Sequence, residues 1–70
     1  MNMKNYEKAI SSYTNALKLN PFDIDSLDNR AKCYRNLAEK EEEPTKKAEL
    51  IAKAEEDEKN ADSFRIDKEL

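Results

Sequence analysis

Pro21 limits what this chain can become more than any other residue. Proline lacks the amide proton a helix needs and its ring clashes with the preceding turn, so no helix runs on through it. On either side of it lie stretches whose apolar residues recur in steps of three and four. Tyr6, Ile10, Tyr13 and Leu17 precede it; Ile24, Leu27, Ala31, Tyr34 and Ala38 follow. Each set lines one face of a 3.6-residue helix. The spacing therefore predicts two amphipathic helices hinged at Asn20-Pro21, each with a face to bury. Asn5 is placed to accept from the free amides of the first turn, and Asp23 to cap the second helix. Ala9 and Ala16 stand beside the first stripe, where small side chains let a neighbouring helix come close.

Composition sharpens this reading. Seventy residues make at most one small domain, and chains of that size seldom bury enough apolar surface without a staple or a partner. One cysteine rules out an internal disulfide, and the absence of histidine rules out a Cys/His zinc set. There is no glycine, and Ala, Leu, Glu and Lys are plentiful, which favours an all-α chain. The net charge of -3 speaks against a nucleic-acid partner, since phosphate binding needs a basic face. No apolar run approaches the roughly 20 residues of a membrane span, and the opening Met1-Asn2-Met3-Lys4-Asn5 lacks the apolar core of a signal peptide. Asp67-Lys68-Glu69-Leu70 holds the letters of an endoplasmic-reticulum retrieval signal in the wrong order. A reducing, cytoplasmic setting is expected, within a large cytoplasmic or cytoskeletal assembly.

From Asn5 to Ala38 the chain resembles the tetratricopeptide repeat (TPR) family, whose 34-residue unit is an antiparallel helix pair ending in Pro. Tyr6, Ala9, Tyr13, Ala16 and Pro21 carry the aromatic, Ala, aromatic, Ala and Pro of a repeat's second helix. Leu27, Asn29-Arg30-Ala31, Tyr34 and Leu37 match the first helix of the next repeat, while Ala38 stands where the family usually has Gly. The resemblance implies an all-α fold of antiparallel helical hairpins of TPR type, part of a solenoid. As one partial TPR-like domain over residues 1–70, the chain is expected to form three helices plus a short C-terminal helix. The bounds are about 6–19, 24–42, 45–59 and 62–69. A family member has a whole helix before Asn5, and here only a polar lead of residues 1–4 stands there. Either the chain is a piece of a longer protein, or something else covers that face.

Beyond Ala38 the run Glu39 to Glu43 is polar, and Pro44 disfavours helical geometry at Glu43. The third helix shows a narrow stripe, Ala48, Ile51, Ala52 and Ala54, then turns polar through Glu55-Glu56-Asp57-Glu58-Lys59, so shallow burial is expected. Asp25-Ser26-Leu27 returns as Asp62-Ser63-Phe64, as in a second, degenerate repeat, with Phe64 anchoring the last helix.

No arrangement of residues supports catalysis. Cys33 has no histidine to act as its base and reads as a small packing residue. The acidic runs Glu41-Glu42-Glu43 and Glu55-Glu56-Asp57-Glu58 lack the alternating ligands and the Gly of a calcium loop and read as solvated faces. Asp23, Asp25 and Asp28 complement a helix N-terminus. The chain is read as a non-enzyme with no catalytic residue, no metal and no cofactor.

What remains is binding. The resemblance implies a protein-protein interaction and scaffold element, a subunit of a larger complex. Its partners are other proteins or the rest of a longer TPR array, with self-association a further mode and neither nucleic acid nor membrane among them. With no helix before Asn5, the stripe of Tyr6, Ile10 and Tyr13 is expected to stay partly open as a protein-binding face. Some TPR modules clamp an acidic C-terminal peptide of heat-shock chaperones, and Asn29 matches the clamp Asn of the second repeat. The other four clamp positions are missing or out of register, with Asp62 and Ile66 where the third repeat's Lys and Arg belong. An antiparallel coiled-coil strut is the other alternative, because the stripes also fit a 3.5-residue period.

Overall fold

The computed structural model describes the backbone of residues 3–69 and the side chains of residues 5–65. Among these residues three helices follow one another, α1 (Met3–Leu19), α2 (Ile24–Lys40) and α3 (Pro44–Glu69), and the fold is all-α. α1 begins before Asn5. That residue lies inside the helix, and the cap expected of it is not where the helix starts.

At the other end of α1, Leu19 is the last helical residue and Pro21 sits in the turn. The turn closes on Asn20, whose carbonyl accepts from the Asp23 amide at 3.1 Å and whose Oδ1 accepts from the Phe22 amide at 3.2 Å. Asp23 is extended (φ -73°, ψ 95°) and caps α2. Its Oδ1 accepts from the Ser26 amide, and its Oδ2 from the Ser26 hydroxyl. This satisfies a first-turn amide that the helix itself leaves unpaired. A four-residue connection of this kind returns α2 antiparallel to α1.

α2 stops at Lys40, two residues short of the expected Glu42, because Glu41 turns extended and its amide bonds back to Leu37 and Ala38. Pro44 then opens α3. At a first helical position its missing amide proton takes nothing from the ladder, and the Glu43 carbonyl accepts from Lys47 at 2.9 Å.

α3 differs most from expectation. The helices expected over about 45–59 and 62–69 are one continuous helix of 26 residues. Nothing between Lys59 and Asp62 can break it, since neither Gly nor Pro is present and Ala61 is fully buried against α2. Asp62-Ser63-Phe64 therefore lies mid-helix with Ser63 exposed, whereas Asp25-Ser26-Leu27 opens a helix with Ser26 buried. The second copy of that tripeptide is not a second helix start. The buried line of α3 also departs from the stripe expected of it. Of that stripe Ala54 is buried and Ile51 half-buried, but Ala48 and Ala52 are exposed, and the line runs through Leu50, Ala54, Asp57, Ala61 and Phe64.

The core sits between α2 and α3. Ala31 and Ala38 on one helix and Ala54 and Ala61 on the other are each no more than 3% exposed. Each pair is spaced by seven, so the four fall on facing stripes where methyl groups let the backbones approach. Ala9 and Ala16 on α1, expected to form such a close seam, are only half-buried. Leu27 and Leu37 complete the apolar interior. Ion pairs flank the seam in antiparallel register: Asp28 with Arg65, and Arg35 with Glu58. α1 packs on α2 alone among the described residues, so α2 is the middle helix.

Candidate interaction surface

α1 is the thinly covered element. Tyr6, Ile10, Tyr13 and Leu17 lie along its α2-facing side, and all four are only half-buried. No described side chain of α1 reaches full burial. The three residues expected to bind protein, Tyr6, Ile10 and Tyr13, are thus brought onto one face. Asn29 is placed elsewhere, half-buried on α2 one turn from Ser26 and one from Cys33.

The most exposed large apolar side chains lie at the elbow. Leu19 is 90% exposed and Phe22 65%. Phe22 meets the ring of Phe64 edge-on, with centroids 5.0 Å apart and planes at 75°, so the elbow is tied to the far end of α3. Spacing had given Phe64 an anchoring role but had singled out neither Leu19 nor Phe22. Leu19 falls off the α1 stripe and Phe22 lies in the turn, where helical periodicity carries no signal.

At mid-height the three helices meet in one polar node. Arg30 Nε donates to Asp57 Oδ2 and Nη2 to Oδ1, both at 2.7 Å, while Nη1 donates to Thr14 Oγ1 at 3.2 Å. Thr14 in turn donates its hydroxyl to the Ile10 carbonyl at 2.7 Å, which leaves its oxygen lone pairs for Arg30. The hydrogen bonds that Arg30 donates to Asp57 hold its guanidinium above the usual pKa, against the lowering effect of burial. Asp57 itself is 3% exposed. It belongs to the acidic run read from sequence as a solvated face, and that reading does not hold for this residue. Its spacing from Ala54 and Ala61 was the available signal.

Beside the node, the Tyr34 ring has two cations near its face, Arg30 at 6.0 Å and Lys53 at 5.8 Å from the centroid. Burial raises the Tyr34 phenol above its ordinary pKa, with Arg30 opposing. Cys33 is half-buried as a free thiol, and burial pushes its pKa up, away from the thiolate a nucleophile needs. Where α1 passes the α2–α3 turn, Glu7, Glu41, Lys46 and Lys53 rim a groove floored by Leu37 and Leu50. Among the described residues there is no cluster of three potential metal ligands. No helix there is long and apolar enough to cross a membrane. Comparison with family models, curated proteins and solved structures finds no match for this chain.

Proposed function

We propose that this chain is a non-enzymatic protein-interaction element, a short helical scaffold of TPR type that works as part of a larger assembly. One observation carries the reading. α1 lies against a single helix and buries none of its described side chains fully, so the uncovered part of its half-buried apolar stripe, with the neighbouring Leu19 and Phe22, is left for another polypeptide. In a TPR array a helix like α1 packs against the helix before it and the one after it, and exposed patches of a few hundred Å2 mark partner surfaces. In the repeat reading, α1 is the second helix of one repeat, and α2 with α3 form the next. The antiparallel connection at Asn20–Asp23 and the buried Ala31 support that assignment.

The test has two arms. The chain alone is expected to bind an apolar dye and to melt at modest temperature. A monomer by light scattering that melts cooperatively at high temperature without taking up dye contradicts the reading. The repeat type is tested by fusing a consensus first TPR helix ahead of Asn5. Covering α1 should raise the melting temperature by several degrees, and an unchanged melt removes the repeat assignment while leaving the interaction surface in question.

The seam of Ala31, Ala38, Ala54 and Ala61 favours a second reading, a helical strut built on α2 and α3. A strut has no use for an open α1, and it predicts that the fused helix changes nothing.

A further inference from the structure

The three helices are held very unequally. α2 and α3 share the alanine seam and three arginine–carboxylate pairs, Arg30 with Asp57, Arg35 with Glu58, and Arg65 with Asp28. α1 packs through half-buried side chains, and at the polar node it is held by the 3.2 Å bond from Arg30 to Thr14, the longest of the three that Arg30 makes. Lifting α1 away leaves the Arg30–Asp57 pair whole, since both partners belong to the hairpin of α2 and α3. The Nη1 proton released from Thr14 faces the space α1 vacates, where water reaches it. No buried charge is orphaned by the step.

The connection is built to let α1 move while the hairpin stays. Its far end is pinned: Phe22 packs on Phe64 and Asp23 caps α2 through Ser26. Its near end is Asn20-Pro21, where both residues are exposed and the bonds to break are those from the Phe22 and Asp23 amides to Asn20. Opening there uncovers no core residue of α2 and α3 other than those α1 itself was covering.

We propose that α1 is an exchangeable helix: the face of α2 it covers is a docking site for an amphipathic helix of α1's own pattern, and its occupant in trans is α1 of a second copy. The structure shows what the site selects. It takes apolar side chains in the order of Tyr6, Ile10, Tyr13 and Leu17, with a hydroxyl at the position of Thr14 in line with the third donor of Arg30. A second copy carries all five by identity, so every contact made within one chain can be made between two. The inference goes beyond the proposed function and does not need it, because a chain that bound no other protein could still trade α1 between copies.

Deleting Asn20, Pro21 and Phe22 from the full chain tests the exchange. One residue then separates the helices, below the roughly two that a helix–helix return requires, so α1 cannot reach its own seat but can reach a neighbour's. The shortened chain is expected to run in light scattering at twice its own monomer mass, which lies a little under the 8.1 kDa of the full chain, with its helical circular dichroism retained. Adding Tyr13→Asp should return it to monomer. A shortened chain that stays monomeric at millimolar concentration, or that dimerises equally well with Tyr13→Asp, overturns the proposal. Hydrogen exchange on the unmodified chain tests the same step without a deletion. The amides of Tyr13 and Ala16 should exchange together, about tenfold or more faster than those of Ala31 and Ala54, as an opening unit short of global unfolding. Equal protection across the three helices means that α1 leaves only when everything unfolds, and the proposal falls.

Discussion

Arg30 on α2 and Asp57 on α3 face each other as a fork and a carboxylate, with two parallel bonds of 2.7 Å each. The planar guanidinium matches the two carboxylate oxygens, and bonds between charged partners are about twice as strong as neutral ones. The pair stands in the middle of the hairpin, and through Thr14 it is also where α1 joins. Because Asp57 is 3% exposed, the pair matters less for what it adds than for what either half would leave behind.

Removing one partner is therefore expected to be severe. Asp57→Ala strands Arg30 and should cost about 2–3 kcal/mol, somewhat less than for a fully buried pair because Arg30 keeps some access to water. A chain this small holds only about 3–5 kcal/mol in total, so the variant should be partly unfolded at 25 °C. The double change Arg30→Met with Asp57→Leu replaces the pair by apolar groups of similar length and should recover most of that loss. Urea unfolding followed by circular dichroism measures both variants against the wild type. Asp57→Ala unfolding within 0.5 M urea of wild type would show that the node contributes little.

The register of α3 is open to a direct check. Ala54 and Ala61 are fully buried at the seam, so Leu at either forces the backbones apart and should destabilise by about 1–3 kcal/mol. Ala48 and Ala52 are exposed, and Leu there should change stability by no more than about 0.5 kcal/mol. Thermal melts of the four variants settle the face. Equal losses at Ala52 and Ala54 would mean that α3 is rotated about its axis.

How much of this could be read from the residues depended on whether the signal was local. Pro21 and the stripes around it placed the first two helices, because a missing amide proton and a 3.6-residue period act within a few residues. α3 was read as two pieces for a reason that is also physical. Its buried line passes through Asp57, which spacing from Ala54 and Ala61 puts on that line, but the Arg30 that makes a carboxylate tolerable there stands 27 residues earlier. Counting apolar letters then favoured Ala48 and Ala52, which point to solvent. At the candidate surface, spacing put Tyr6, Ile10 and Tyr13 on one face, but Leu19 and Phe22 owe their exposure to where the chain turns. Thr14 carries no signal of its own in the sequence, and its role comes from Arg30, which α2 brings beside it.

The edge-to-face contact of Phe22 and Phe64 closes the elbow end of the molecule. Phe22 is mostly exposed, so its area contributes little, and the ring geometry itself should supply about 0.5–1 kcal/mol. A double-mutant cycle with Phe22→Ala and Phe64→Ala isolates that coupling. Phe64→Ala alone should also speed hydrogen exchange in the last two turns of α3, where Phe64 and the Asp28–Arg65 pair are the described ties to the rest of the chain. A coupling indistinguishable from zero would leave the ring contact as mere proximity.

Acid should loosen the hairpin through Glu58. Arg35 donates to both of its oxygens, Nε at 2.6 Å and Nη2 at 2.7 Å, and these bonds hold the Glu58 carboxyl below its usual range while partial burial pulls the other way. A carboxyl whose pKa is lower in the folded state binds its proton more readily when unfolded. Its contribution is thus fully present above the unfolded value of about 4.3 and disappears as pH falls through the folded one. The pair is solvent-facing, so the contribution is modest and should shrink further in molar salt. Urea midpoints measured from about pH 6 down to about pH 3 should fall more steeply for the wild type than for Glu58→Gln, with the two curves converging at the acid end. Arg35 stays charged throughout this range, so the difference between the curves reports Glu58 alone. Parallel curves would mean that the two bonds do not survive in solution.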